Sequence, residues 1–389
     1  MKYMGHKGKM LPLLSDIVKD SASNAKRIAD PFCGSAAVSW FLAENFDKEI
    51  YSGDLQKYAT VRAQSVVERL NPIDGDILLK NWFRRANRIV NHVSEHFPNS
   101  LNSIKPEFNR ESDIRSIVYN SRNFCRDVMP VAFQGINGSW PISKAYGGYY
   151  FSPYQALVFD ALRQTLPRES KKKALALSAL IDANSRAAAS PGHTAQPFQP
   201  TDSASKYIVE AWNREPWELV KTAVQDLTGR TAMQAGKAIN GGFEKTISFL
   251  EPGDFVFADP PYSAVHYSRF YHVLETITNG KEFIPEGRGR YPPIEQRPSS
   301  DFSKKTTAFA AAKDLIDVCA EKELGLILTF PTGKASNGLS TEDFVKYGEK
   351  RFSTVKIERF ESSFSTLGGN KVIRDARAKS DESIVVFSF

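Results

Sequence analysis

Asp259, Pro260, Pro261 and Tyr262 stand together at the end of the apolar run Phe255–Ala258. Four consecutive apolar residues bounded by acids fit a buried parallel strand. Neither proline has a backbone N–H, and Pro260 drives Asp259 toward extended backbone. The strand stops there and displays a carboxylate, a carbonyl and an aromatic ring. In open α/β sheets that edge is where ligands bind. An aspartate beside a backbone carbonyl is a pair of acceptors suited to a planar amine with two N–H donors. Holding both N–H bonds draws the nitrogen lone pair out of conjugation and aims it at an electrophile. Each bond to the charged acceptor is worth roughly 1.5–3 kcal/mol, and aligned attack adds to this. Tyr262 offers a face on which a base can stack. A Pro-Pro turn that only breaks the chain is the plain alternative.

A second constellation lies near the amino end. Asp30-Pro31-Phe32-Cys33-Gly34-Ser35 is a small-residue turn between a strand and a helix. Gly34 lets backbone approach a ligand, and the helix start that follows favours negative charge. Asp54 follows Gly34 by roughly 20 residues, the position of an acid that accepts from ribose hydroxyls. A helix cap is the other reading of Asp54. Together the turn and the acid describe a nucleoside-bearing cofactor pocket. The turn lacks the three-glycine dinucleotide fingerprint, which argues against NAD. The segment Lys2-Tyr3-Met4-Gly5-His6-Lys7-Gly8-Lys9 is either a tight turn whose Lys7 reaches a carboxylate or a frayed basic terminus.

These residues need elements to hold them. Helices are expected at Leu11–Lys19, Ala36–Asn45 and Leu55–Leu70, with strands at Arg27–Ala29 and Glu49–Ser52. That alternation begins a doubly wound sheet. Residues 76–231 read as mainly helical, with helices at Trp82–Phe97, Asp113–Met129, Tyr154–Thr165 and Lys172–Arg186. A Gly/aromatic loop is expected over 134–153 and a Ser/Pro-rich loop over 189–203. The α/β pattern then returns: a strand at Ala232–Ala235, a helix at Phe243–Leu250, the strand Phe255–Ala258, a helix at Thr307–Lys322 and a strand at Leu324–Phe330. Val355–Phe360 and Ser383–Phe389 are expected to close the sheet as an antiparallel hairpin. The expected domains are 1–75, 76–231 and 232–389. Lys281–Lys305 reads as a mobile basic loop, either solvated or in contact with phosphates.

The 389 residues are 41% hydrophobic and 24% charged, enough for a real core. No apolar run approaches the roughly 20 residues that span a bilayer, and the basic N-terminus is too broken for a signal peptide. A cytoplasmic protein is expected. Cys33, Cys125 and Cys319 are too scattered for a disulfide framework or a zinc site. His92 and His96 lack the glutamate of a metalloprotease helix, so no metal is expected. A net charge of +7 suits a polyanionic partner.

Tyr3–Leu11, Asp30–Ser35, Asp54 and Asp259–Tyr262 occur in the order of the Dam-like, alpha-class adenine-specific DNA methyltransferases, which the chain resembles. Tyr267-Ser268-Arg269-Phe270-Tyr271-His272, Ser303–Ala312 and the closing strand with Glu382 are similar to segments of adenine methyltransferases from type IIS restriction-modification systems. The resemblance implies an α/β, Rossmann-like methyltransferase sheet with an inserted, mainly helical target-recognition region. It implies S-adenosylmethionine as cofactor, held by Tyr3, Gly5, Lys7, Asp30, Phe32, Gly34, Ser35, Asp54 and Asp259. Lys7 would lie near the methionine carboxylate and Asp54 at the ribose. Ala36 stands where many members have a second glycine. After Ala232–Ala235 an acid is expected near the cofactor's adenine, but Gly236 and Lys237 follow.

The activity implied is transfer of a methyl group to the N6 amine of a flipped adenine in duplex DNA, with Asp259, Pro260, Pro261 and Tyr262 as the catalytic corner. Tyr267, Arg269, Arg288, Arg290 and Arg297 are the expected DNA contacts. A monomer acting on double-stranded DNA in a restriction-modification or phage-defence setting is expected, a restriction endonuclease being a possible partner. Cytosine N4 methylation, RNA adenine methylation and a non-catalytic nucleic-acid-binding relative are the alternatives.

Overall fold

The computed structural model describes residues 1, 10–95, 114–365 and 377–389. Tyr3, Gly5 and Lys7 lie outside the described residues. The chain forms two compact units. One contains Met1–Lys2, Pro72–Gly229 and Arg269–Arg297; the other contains Tyr3–Asn71, Arg230–Ser268 and Pro298–Phe389.

The second unit is built on a sheet of β1 (Arg27–Asp30), β2 (Glu49–Asp54), β3 (Lys237–Asn240), β4 (Phe255–Ala258), β5 (Gly325–Pro331), β6 (Thr354–Ser365) and β7 (Arg377–Ser388). The order is β3-β2-β1-β4-β5-β7-β6. The first five strands run parallel, and β7 runs antiparallel to both β5 and β6. Strand order reverses at β1, whose neighbours are β2 and β4. The carboxyl ends of β1 and β4 thus meet at a topological switch point, where such sheets bind ligands. Central strands are buried on both faces, so Phe255–Ala258 is apolar throughout. The Asp254 carboxylate accepts from the backbone N–H groups of Lys26 and Arg27 at 3.2 and 2.9 Å. It pins β1 to β4 at their amino ends and so sets the register of the switch point.

The expected fold class holds, with one shifted strand. β3 runs over Lys237–Asn240 rather than Ala232–Ala235. It is an edge strand with one fully buried residue, Ile239, so it carries almost no periodic signal.

The other unit is helical. Its helices include Gly75–Glu95, Pro153–Gln164, Ser170–Ala187, Ser205–Trp212, Pro216–Thr228 and Ser268–Asn279, the last crossing into it from the sheet unit. The expected helix over Asp113–Met129 is Ile114–Asn123 followed by a π turn at Phe124–Val128. Within the expected Gly/aromatic loop, Pro141–Tyr146 is a short helix. Buried Asp160 accepts from the N–H groups of Ile142 and Ser143 at 3.0 and 2.8 Å, satisfying its amino end. Among the described residues no helix is long and apolar enough to cross a membrane.

Candidate active site

Within the sheet unit, a cavity of about 230 Å³ opens at the carboxyl ends of β1, β2, β3 and β4. Phe32 from the turn after β1, Asp54 from β2 and Asp259–Tyr262 after β4 all line it. The sequence separates these residues by more than two hundred positions, and the parallel sheet brings their strand ends together.

The glycine turn is fastened to β2. Cys33 N–H donates to the Gly53 carbonyl at 2.9 Å, and Gly34 N–H donates to Asp54 Oδ2 at 3.0 Å. Asp54 Oδ1 accepts from Gln56 N–H at 2.8 Å. Asp54 therefore does local work at a helix entry and also faces the cavity; the two sequence readings are not exclusive. Gly34 has φ +47°. Ala36 has φ +65°, a left-handed conformation that costs an L-residue roughly 1–2 kcal/mol. The alanine thus occupies the backbone state in which a second glycine would be at ease. Ser35 lies in the same turn, its carbonyl accepting from Arg62 Nε at 3.1 Å.

Asp30 sits behind this turn and is only 1% exposed. Its Oδ2 accepts from the Ser39 hydroxyl at 2.6 Å, while Oδ1 is buried with no hydrogen-bond partner among the described residues. Burial lifts its carboxyl to about 7, the Ser39 bond opposing and the charges of Asp259 and Asp54 adding to the rise. Of the expected cofactor residues, Phe32, Asp54 and Asp259 line the cavity, whereas Asp30, Gly34 and Ser35 are not among its lining residues.

The Pro-Pro corner is held by two side chains that sequence reading missed. Thr329, buried on β5, donates its hydroxyl to Asp259 Oδ1 at 2.7 Å. Asn337 donates to the carbonyls of Pro261 and Phe302 at 3.2 and 3.0 Å. The Pro260 carbonyl receives no hydrogen bond from the described residues. One oxygen of Asp259 is thus oriented, one carbonyl of the corner is committed, and the carbonyl next to the acid keeps its lone pairs. Tyr262 is half-buried and packs edge-on against Phe330, ring centroids 6.1 Å apart. Tyr267 also lines the cavity; burial and then the Asp259 charge push its phenol up.

Gln56, Gly241, Gly242 and Glu244 complete the wall on the β2–β3 side. The buried Oε1 of Gln56 has no hydrogen-bond partner among the described residues. The sequence reading looked for this wall at Gly236 and Lys237, because it ended β3 too early. The signal present was the pair Gly241-Gly242 directly after Asn240.

The expected DNA contacts divide. Arg288 is exposed. Arg269 is exposed with its guanidinium 5.2 Å from the Tyr291 ring. Arg290 is turned inward: its guanidinium lies 4.0 Å over Tyr149 and its Nε donates to the Ala145 carbonyl. Arg297 donates to the Pro292 carbonyl at 2.6 Å and pairs with Glu286 at 3.3 Å. Both are internal ties, and the segment expected to be a loose basic loop carries the bridge Glu286–Tyr291 and two short 3-10 turns. Charge in a sequence does not distinguish a guanidinium that braces a loop from one that waits for a phosphate. All three cysteines are buried, and burial pushes their thiols up, away from nucleophilic use.

His272 belongs to a buried polar knot in the helical unit. Its Nε2 lies 2.7 Å from the Thr194 carbonyl, which only accepts, so Nε2 carries the proton. Its Nδ1, 2.9 Å from the Tyr146 hydroxyl, is then the acceptor. Burial lowers its pKa to about 3, the Thr194 carbonyl opposing and the cations of Arg297 and Arg269 adding. The unfolded ring titrates near 6.5. Stability from neutral burial is therefore complete above that pH and is lost as pH falls toward the folded value, by up to about 1.4 kcal/mol per pH unit. Denaturant unfolding of wild type and His272→Asn between neutral and acid pH tests this. The variant's acid-side slope should be shallower by nearly one proton; parallel slopes would contradict the assignment.

The chain matches the family of D12 class N6 adenine-specific DNA methyltransferases over residues 3–126 and 144–318. It is also similar to a curated relative, modification methylase LlaI of Lactococcus lactis subsp. lactis. The two are 21% identical over 318 residues, 81% of this chain and 44% of that protein. The chain thus spans less than half the length of that relative. The family match covers well over half of the chain and takes in both Asp30–Ser35 and the Asp-Pro-Pro-Tyr corner. The chain belongs to the D12 class N6 adenine-specific DNA methyltransferase family.

Proposed function

We propose that this chain methylates the exocyclic N6 amine of an adenine in duplex DNA, using S-adenosylmethionine. Membership of the family implies a methyl donor. The observation that carries the reading is one cavity shared by the Asp259–Tyr262 corner, Phe32 and Asp54. An amine acceptor pair and a nucleoside-type acid therefore face the same space.

The wall fits such a donor. Asp54 is an acceptor for ribose hydroxyls, the unpartnered Gln56 Oε1 accepts an amine or hydroxyl, and Phe32 supplies an apolar surface. S-adenosylmethionine, when bound, supplies an electrophilic methyl group on a sulfonium. The protein's part is to present the amine. The target base leaves the stack at a cost of a few kcal/mol and rests on Tyr262. Asp259 and the Pro260 carbonyl accept its two N–H bonds, and Thr329 keeps the carboxylate turned to that task. With the donor bound, the amine nitrogen held by Asp259 and the Pro260 carbonyl would take the methyl carbon as sulfur kept the bonding pair, and the extra proton, acidic on the resulting ammonium, would pass to solvent. No covalent intermediate with the enzyme is required. The related methylase's name suggests a modification role, and we assign this chain to a restriction-modification or phage-defence setting. Transfer to cytosine N4 would use the same acceptors; family membership favours adenine.

Incubation with methyl-labelled S-adenosylmethionine and either duplex DNA or RNA, followed by nucleoside analysis, tests the reading. Label in N6-methyladenine from DNA is expected. Label confined to N4-methylcytosine or to RNA would reject it.

A further inference from the structure

We infer that the solvent face of the helix Gly75–Glu95 docks on the phosphate backbone of duplex DNA. The inference rests on the DNA methyltransferase reading above. The helix buries Leu78, Leu79, Trp82, Ala86, Val90 and Val93. The opposite side carries Lys80, Arg84 and Arg88, all exposed. A spacing of four residues places the three cations in one row, about 6 Å apart along the axis. Between Asp76 and Glu95 the helix holds no acid. None of the three cations has a hydrogen-bond or ion-pair partner among the described residues.

A merely solvated face has no need of this pattern. Like charges at i and i+4 cost about 0.2–0.5 kcal/mol per pair, and the row contains two such pairs. The neighbouring element repeats the conflict. Arg85 donates to the Thr165 carbonyl at 2.9 Å, tying this helix to the turn before Ser170–Ala187. Around that turn Arg168, Lys171 and Lys173 are exposed, and among the described residues Lys172 alone of this group has an acidic partner, Glu169 at 2.6 Å. Three lysines in the first turn of a helix oppose its dipole, by about 0.3–1 kcal/mol each. Local rules broken twice on adjoining surface, compensated internally only at Lys172 by Glu169, mark a functional surface. A polyanion removes both conflicts, and phosphate neutralisation is the main term in binding to duplex DNA.

Phosphate contacts are indifferent to sequence, so the test needs no recognition site. Fluorescence anisotropy with a short duplex of arbitrary sequence, over a range of salt concentrations, measures affinity and its salt dependence. Lys80→Ala/Arg84→Ala/Arg88→Ala should weaken binding about 10–100-fold near ~0.1 M salt and reduce the slope of log K on log salt by about 2–3. Arg84→Lys/Arg88→Lys should keep both. Lys19→Ala/Lys346→Ala/Lys350→Ala removes the same net charge elsewhere and should leave the slope unchanged. The cations of the row face solvent and repel one another, so the triple variant should unfold at the wild-type temperature or slightly above it. Wild-type affinity and slope in the Lys80/Arg84/Arg88 variant, or an equal loss in the control, would overturn the inference. If wild type nevertheless methylates DNA, only this surface is rejected. A wild-type protein that neither binds nor methylates DNA would reject the underlying reading as well.

Discussion

Asp259→Ala should lower the rate of methyl transfer by about 10³-fold or more while leaving affinity for duplex DNA nearly unchanged. The magnitude follows from what the carboxylate does. A charged acceptor bond is worth roughly 1.5–3 kcal/mol, and in the proposed reaction this one would also set the direction of the amine lone pair, whose alignment is a further rate factor. The Pro260 carbonyl alone restrains one N–H and leaves the other free to rotate. Thr329→Val gives a graded companion. Valine keeps the size of the buried side chain but removes the hydroxyl that donates to Asp259 Oδ1 at 2.7 Å. The expected loss is about 5–20-fold in turnover, near the value of one hydrogen bond, with donor and DNA affinities intact. Single-turnover methyl transfer with saturating donor and duplex separates the chemical step from binding. If Asp259→Ala retained more than about a tenth of wild-type turnover, the acceptor-pair account of the corner would fail. If Thr329→Val changed donor KM rather than kcat, Thr329 would be a packing residue and not a positioning one.

What could be read from the chain tracks how local the cause is. Phe255–Ala258 is recovered residue for residue because an uninterrupted apolar run with proline punctuation depends on nothing distant. β3 was missed by several residues because an edge strand with one buried side chain leaves little pattern to read. Pro141–Tyr146 was hidden by its glycine and aromatic surroundings, and the carboxylate that stabilises its amino end comes from Asp160, on another helix. Thr341–Gly348 was legible and overlooked, since Ser340 and Asp343 form a capping box at ordinary spacing. The same division runs through the site. Asp54, Phe32 and Asp259 stand in motifs, so residue type and order were enough to nominate them. Thr329, Asn337 and Gln56 stand in none. They matter through distances to atoms far off in sequence, which only the folded sheet supplies.

Asp54→Ala should weaken binding of S-adenosylmethionine by about 10²-fold, the value of two charge-assisted hydrogen bonds less the coupling between them. The carboxylate already accepts from Gly34 N–H and Gln56 N–H. These bonds hold the side chain still, and each carboxylate oxygen has more than one lone-pair site, which is what accepting from ribose hydroxyls would require. Asp54→Asn should be nearly as harmful as alanine. If its oxygen takes the Gln56 bond, its amide NH2 faces the Gly34 N–H, donor against donor, and loosens the glycine turn. Calorimetric titration with both S-adenosylmethionine and its thioether product, S-adenosylhomocysteine, distinguishes two ways in which an acid could act here. The ribose is common to the two ligands, whereas the sulfonium charge is present in one alone. A ribose acid must therefore lose affinity for both by a similar factor. If Asp54→Ala weakened only the sulfonium ligand, Asp54 would be acting as a counter-charge, and the acceptor of the ribose hydroxyls would have to be sought elsewhere on the wall, first at Gln56, whose buried Oε1 has no partner among the described residues.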